Sequence, residues 1–566
     1  MGGISNMKMN LRILARVSMI AGVVAVVATV TTGGALAKAE TPKANKKVAT
    51  LGNEKAPQGG TFLYNLGVEP TTLNPITGTD LYNQTIQSFV MDSLMNRNFD
   101  TYEWEPSLAE KVDVSKDGRE FTFTLRQGAQ WSDGKPITIE DVKFSFDVIF
   151  DDKYNAAHLR PYYENIEKAE VTGPNTIKFV TKSKYFGNFD VVAGLTVLPK
   201  HFYGNAEEGK KKNKTILGSG PYVLKEYNQG QSIILERNKN WWGNAVPEQR
   251  GRYNFQMVRM RFDKEENLVL ERLKKGELDY DSLTPEAYSL KTDGAPWGTT
   301  VLKKKVENLQ PKSYGYVGWN FTKPMFQEKG VRRALAHLMN RDEMNKKFRF
   351  GMSLPATGPW YQQSEYADPK TKAIAFDPKK AAELLKKAGW TDSNKDGVLD
   401  KGGQPFEFTL FYANKDSQKY FVLYQEDLKK AGIRMNLQLL EWNALLKNLD
   451  ERKFDAVALG WGGGSVDLNP KQIWHTDSAK AGGSNRIGYS NKEVDKLIDE
   501  AIAELDKKKR IQMYRKIYAM IAEDAPYAFM FNDKFILYGV NKRIGMPKET
   551  YKFAVGADYW WITDIK

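Results

Sequence analysis

Apolar and polar positions along this chain follow two rhythms. Phe121, Phe123 and Leu125 alternate with polar neighbours over Glu120–Leu125, which predicts a half-buried strand; Gly60–Leu66 and Ile177–Thr181 read as strands too. Gln84–Leu94 reads as a helix. Thr138 with Asp141 three residues on resembles a capping box, and Val142, Phe146 and Ile149 follow at helical spacing. Val331, Ala334, Leu335, Leu338 and Met339 form one helical stripe. Asp377 before Pro378 is an N-cap with proline at the first helical position, and that helix is expected to stop at Gly389. Between these elements Glu207–Lys214 is expected to be a solvated loop.

The stretch 406–464 is the most regular. Phe406–Tyr412 predicts a strand, Gln418–Ala431 a helix ended by Gly432, and Ile433–Leu439 a second strand with alternating Ile433, Met435, Leu437 and Leu439. Trp442–Leu449 predicts a short helix and Phe454–Leu459 a third, nearly all-apolar strand. Strand–helix–strand–helix–strand implies an α/β fold with a parallel sheet and right-handed crossovers. The third strand opens into Gly460-Trp461-Gly462-Gly463-Gly464-Ser465. Ligands of open α/β sheets sit outside the carboxyl ends of strands, so this loop is the ligand-site candidate that topology supplies. An aromatic wall at Trp461 beside glycine-exposed backbone suits a peptide-like or other amphiphilic solute.

Composition narrows the chemistry. The 566 residues are 41% apolar and 27% charged, ample for large cores. Cysteine is absent, which excludes disulfides, thiolate metal sites, cysteine nucleophiles and thiol-anchored lipids. The four histidines, His158, His201, His337 and His475, are scattered, so a histidine metal site is not expected. The formal charge is +14, from 83 basic and 69 acidic residues interleaved through most of the chain. Aromatic and basic residues share no short tract, so nucleic acid is not an expected partner. Residues 1–37 carry Lys8, Arg12 and Arg16, an apolar stretch Val17–Val30 shorter than a membrane span, and Ala35-Leu36-Ala37 as a cleavage site; this reads as a secretory signal peptide. Residues 38–58 are expected to be a flexible leader, and the mature chain to be periplasmic, soluble and unlipidated.

Several motifs are missing: no phosphate-binding P-loop, no H-E-x-x-H zinc pair and no G-x-S-x-G nucleophile elbow occur. No cofactor is expected. Asp392, Asn394, Asp396 and Asp400 match part of a calcium loop, but Gly403 stands where a bidentate Glu is needed, and a turn built from Asp and Asn side chains is the competing reading. An exported hydrolase using a carboxylate pair is the rival from another class, supported only by size and carboxylate count.

Four segments carry a family resemblance. The first is Trp104-Glu105-Pro106-Ser107-Leu108-Ala109-Glu110 with Asp117–Gly128 and Trp131–Val142. The second is Gly218-Ser219-Gly220-Pro221-Tyr222 with Asn240-Trp241-Trp242-Gly243. The third is Val331-Arg332-Arg333-Ala334-Leu335 leading to Asn340-Arg341. The fourth is Gly460-Trp461 with Asp467, then Ser484–Asn491 and Val494-Asp495. With these the chain resembles the family 5 extracellular solute-binding proteins of ABC importers, the oligopeptide, dipeptide and nickel group. The resemblance implies a two-lobe periplasmic binding protein of the large class II type with an inserted α+β subdomain. Lobe 1 would be 59–90, 212–305 and 532–566, the insertion 91–211, and lobe 2 306–531. It implies a monomer that encloses a peptide or peptide-like solute, or a metal chelate or sugar, between lobes and delivers it to an inner-membrane ABC permease. Trp442 and Trp461 match pocket-lining aromatics, with Gly460, Gly462 and Gly464 beside them. Thr79 and Leu81 match a segment that pairs with ligand backbone. The Asp that holds a peptide's ammonium in relatives is replaced here by Gly464; Asp467 is the first candidate to replace it and Asp80 the second.

Overall fold

The computed structural model describes residues 50–480 and 483–565. The signal peptide expected at 1–37 lies outside the described residues. The chain divides into two compact units, one of residues up to 310 with 503–507 and the segment from 536 onward, the other of 311–502 and 508–535. Among the described residues no helix is long and apolar enough to cross a membrane.

The first unit is built on a seven-stranded sheet in the order Val301–Val306, Ile536–Asn541, Tyr280–Ser282, Thr61–Asn65, Met257–Arg261, Ser232–Arg237, Tyr222–Asn228. Thr61–Asn65 runs parallel to both of its neighbours, and the other pairs are antiparallel. Its alternation buries Phe62 and Tyr64, and Phe62 stacks on Phe255 with centroids 4.6 Å apart. A separate four-stranded antiparallel sheet runs Ala109–Val114, Glu120–Leu125, Thr176–Thr181, Ile166–Gly173. Phe121, Phe123 and Leu125 are buried there, as their period predicts. Helix Ile139–Phe150 covers this sheet, with Phe146 edge-on to Phe179 at 5.7 Å; its capping box is present, the Thr138 N–H donating to Asp141 at 2.8 Å.

Two motif segments meet at one buried carboxylate of this unit. Asp92 accepts from Trp242 Nε1 at 2.8 Å and from Ser219 Oγ at 3.0 Å. Gly218 and Gly220 are glycine because the chain passes hard against Val90; a Cβ on Gly218 would lie 2.0 Å from the Val90 carbonyl oxygen.

The second unit holds a six-stranded sheet in the order Ser353–Pro355, Tyr527–Asp533, Tyr314–Trp319, Ala456–Trp461, Glu407–Tyr412, Arg434–Leu439. The parallel unit read from 406–464 is there: Glu407–Tyr412 pairs in parallel with both Arg434–Leu439 and Ala456–Trp461. It forms only half of a mixed sheet, because Tyr314–Trp319 pairs antiparallel with Ala456–Trp461 and continues the sheet. Trp319, Phe326, Leu335, Leu385, Phe408, Leu410, Tyr424 and Leu428 share the core packed on it.

Other boundaries move for local reasons. The helix expected at 84–94 is Leu81–Val90, starting earlier because Asp80 caps it and ending where Met91 turns extended. Part of the tract expected as loop at 207–214 is the short helix Ala206–Lys210, capped by Asn205. The helix after Asp377 ends as predicted, with Gly389 at φ +83°. The end of the expected leader is docked: Leu51 packs beside Phe99 and Tyr551, and the Tyr551 hydroxyl donates to its carbonyl at 2.7 Å.

Candidate functional site

Of the three parallel strands of the second unit, two end level at Tyr412 and Leu439 and the third runs on past them to Trp461, and apolar side chains stay partly accessible at that end. Leu439 closes its strand at 46% exposure, Trp442 begins helix Trp442–Asp450 three residues later, and Trp461 closes the Ala456–Trp461 strand. Glu441 caps the helix by accepting from the Asn443 N–H at 2.8 Å. The structure thus brings Trp442 and Trp461 to one end of the sheet.

Trp461 belongs to the strand and not to the loop after it, a correction to the sequence reading. It lies opposite Tyr314, and Gly460 lies opposite Gly315. The loop proper starts at Gly462, an exposed residue around which a Cβ would meet nothing within 4 Å. Gly463 has no such room: a Cβ would sit 2.3 Å from the Pro311 carbonyl oxygen. Gly464 takes φ +65°, the left-handed region that favours glycine.

Strand pairing builds an aromatic stack under Trp461. Its indole lies nearly parallel to Tyr316, with 6.3 Å between centroids and 17° between planes, and Tyr316 stacks on Tyr527 at 3.7 Å. The Trp461 Nε1–H donates to the Tyr527 hydroxyl at 3.3 Å, and Trp474 packs against Tyr527 at 4.9 Å. Tyr316, Tyr527 and Trp474 are buried while Trp461 is half-buried, so the stack holds one indole rigidly with part of its surface free. Burial raises both phenols, Tyr527 to about 12, so each keeps its proton at neutral pH. Sequence reasoning missed Tyr316, Tyr527 and Trp474. The alternating Tyr314-Gly315-Tyr316 was a visible strand signal, but nothing local tied it to residue 461 or 527.

Asp467 lies past the loop and is engaged inside its own unit. Its carboxylate accepts from the Tyr366 hydroxyl at 2.5 Å, and the fully buried Arg510 donates to the same hydroxyl at 3.4 Å. Thr79, Asp80 and Leu81 belong to the first unit. Asp80 is buried and is the N-cap of Leu81–Val90: it accepts from the Asn83 N–H at 2.7 Å, from the Thr71 N–H at 3.1 Å and from the Thr71 hydroxyl at 2.6 Å. Thr79 is exposed and Leu81 half-buried.

The loop at Asp392–Asp400 turns its oxygens onto its own backbone. Asp392 accepts from the N–H groups of Asp396 and Gly397, Asn394 from Asp396, Asp396 from Val398, and Asp400 from Ser393. These are the side-chain turns that compete with calcium ligation. Among the described residues no group of three or more His, Asp and Glu side chains could hold a metal ion.

Comparison with known proteins bears on about nine-tenths of the chain. The family described as bacterial extracellular solute-binding proteins, family 5 middle, matches residues 103–483. The oligopeptide-binding protein AppA of Bacillus subtilis is 30% identical over 550 residues, 92% of this chain and 95% of the relative. The probable peptide-binding protein YejA of Agrobacterium fabrum is 26% identical, covering 90% of each chain. Among solved structures, Bacillus subtilis AppA in complex with a nonapeptide superposes with a TM-score of 0.72 at 29% identity, over 90% of this chain and all of that one. The ABC transporter substrate-binding protein CtaP of Listeria monocytogenes gives 0.74 at 25% identity, over the same shares.

Proposed function

The chain belongs to family 5 of the bacterial extracellular solute-binding proteins, and on that premise we propose that it captures a peptide or peptide-like solute in the periplasm and delivers it to an ABC permease of the inner membrane. The observation that carries this reading is the rigid, half-buried Trp461, stacked on Tyr316 and tied to Tyr527 at the carboxyl end of the parallel strands, in a chain that matches AppA, solved with a nonapeptide, over nine-tenths of its length.

In this reading Trp461 and Trp442 supply apolar walls, worth about 25 cal/mol for each Å² they bury. Backbone groups beside Gly460, Gly462 and Gly464, and those of Thr79 and Leu81, pair with the ligand main chain, which gives affinity tolerant of side-chain sequence. Asp467 serves as a brace behind the loop, because Tyr366 already engages its carboxylate; the calcium-like loop serves as a turn. A ligand shifts the protein toward its loaded state only by its preference for that state, so capture requires contacts absent without ligand. The protein acts as a monomer, releases its solute chemically intact, and is exported without a lipid after cleavage behind Ala37.

Mass spectrometry of what co-purifies with the protein from native periplasm tests this. Recovered peptides, bound by wild type and weakened at least about tenfold by Trp461→Ala, support it. A co-purifying sugar or metal chelate overturns the peptide assignment, and a cleaved ligand overturns the binding-protein reading in favour of a hydrolase. N-terminal sequencing of the periplasmic form is expected to begin at Lys38.

A further inference from the structure

The second unit contains a cavity of about 360 Å³ that shares only Tyr527 with the Trp461 stack. Helix Lys329–His337, the end of helix Lys507–Asp524 and the segment 356–374 contribute its walls. Small side chains, Ala356, Ala519 and Ala522, leave the space open.

The charges around this space do not balance. Arg333, Arg341 and Lys372 line it, against the single carboxylate of Glu523. Glu523 is already paired, with Arg333 at 2.8 Å and with Lys329 at 3.4 Å. Arg341 is only 5% exposed. Its Nε donates to the Phe529 carbonyl at 2.5 Å, and its Nη1 to the carbonyls of Ala336 at 3.1 Å, Ile374 at 3.0 Å and Met339 at 3.4 Å. Its Nη2 has no acceptor among the described residues, and no carboxylate pairs with the guanidinium there. Lys372 is exposed at the rim and forms no ion pair among the described residues. A buried cation satisfied by carbonyl dipoles alone carries an unreturned desolvation cost. Burial is the largest influence and pushes the Arg341 group down to about 10, against the raising by Tyr424 and Asp342, so it is still protonated at neutral pH. The polar remainder of the wall is hydroxyl: Thr371 donates to Asp368 at 2.7 Å, and Thr357 shares a hydrogen bond of 2.5 Å with Tyr518.

We propose that this cavity binds a small oxyanion, a phosphate or a carboxylate, held by the unused Nη2 of Arg341 and the ammonium of Lys372. A guanidinium presents planar donors that match either oxyanion, and the exposed lysine adds a second charge on a flexible stem. The volume admits a phosphate ion or a short dicarboxylate with water, and lies at the lower end of the range of small-molecule pockets.

The test is calorimetric titration of the mature protein with inorganic phosphate and, separately, with succinate, each against sodium chloride at matched ionic strength. Saturable one-site binding of either anion is expected, and the tighter arm identifies the geometry the site prefers. Lys372→Ala is expected to weaken it about fivefold, the scale of one partly exposed charge contact. Ala519→Leu, which fills space without altering charge, is expected to weaken it at least tenfold. The proposal fails if neither anion binds more tightly than chloride, or if binding survives Ala519→Leu unchanged. Should Ala519→Leu not fold, the exposed substitution Lys372→Glu decides: it must abolish binding, and unchanged affinity overturns the site.

Discussion

Removing the Asp92 carboxylate tests the physical account of two motif segments at once. Asp92 is buried and its Oδ2 accepts both the Trp242 indole N–H at 2.8 Å and the Ser219 hydroxyl at 3.0 Å. Asp92→Ala leaves both donors facing a void. A buried donor without an acceptor costs about 1–3 kcal/mol, and the serine hydroxyl can rotate where the indole cannot, so a loss of about 2–4 kcal/mol is expected. Asp92→Asn keeps a carbonyl oxygen for both donors and is expected to cost less than about 1 kcal/mol at neutral pH. The sign with pH separates charge from shape. Burial is the largest influence on this group and raises it above the ordinary value of 3.8, against the lowering by its hydrogen-bond donors. The folded chain therefore holds the Asp92 proton over a window above 3.8 in which the unfolded chain has released it. Wild type loses that contribution as pH rises through the window, whereas asparagine does not titrate. Relative to wild type, the Asn variant is expected to gain stability as pH rises above 3.8. Urea unfolding followed by far-UV circular dichroism and tryptophan fluorescence measures all three proteins, with the two units fitted as separate transitions if they separate. An Asn variant as damaged as the Ala variant, or one that loses ground with rising pH, would refute the reasoning.

Three further outcomes follow from single contacts. Gly463→Ala is expected to destabilise by about 1–3 kcal/mol, since its Cβ would lie 2.3 Å from the Pro311 carbonyl oxygen, while Gly462→Ala, with open space around it, is expected to be close to neutral; denaturation midpoints of the pair decide. Asp558→Ala strips the counter-ion from Arg252, a pair 3.0 Å apart in which each side chain is 6% exposed, and is expected to cost about 3–5 kcal/mol in urea unfolding, the penalty of a buried charge left alone. Thr138→Ala removes one arm of the capping box on Ile139–Phe150 and is expected to lower stability by about 1 kcal/mol, with a value near zero meaning that tertiary packing alone holds the helix.

Much of the candidate site was legible because its signals are local. Gly432 and Gly389 stop helices by adopting φ +79° and +83°, a property readable at one position. The sheet end beside which Trp442 and Trp461 lie followed from the order strand–helix–strand–helix–strand, since a parallel connection admits few topologies. The aromatic stack was not legible. Tyr316 and Tyr527 stand 211 positions apart and meet because Tyr314–Trp319 pairs with Tyr527–Asp533 across the sheet. Asp80 entered the sequence reading only as a ligand candidate, and the structure adds that it caps Leu81–Val90, accepting from Asn83 and Thr71.

By itself the sequence determined the periods, the caps, the stops and the motif segments, because each depends on backbone geometry over a few residues. The tertiary structure alone decided which strands became neighbours, that Asp467 bonds Tyr366, that Asp92 gathers Trp242 and Ser219, and that Arg341 lines a cavity with its Nη2 unused. Those facts rest on pairings between distant segments. Such pairings are chosen by the burial of whole faces against one another, a quantity that no short window of the chain contains.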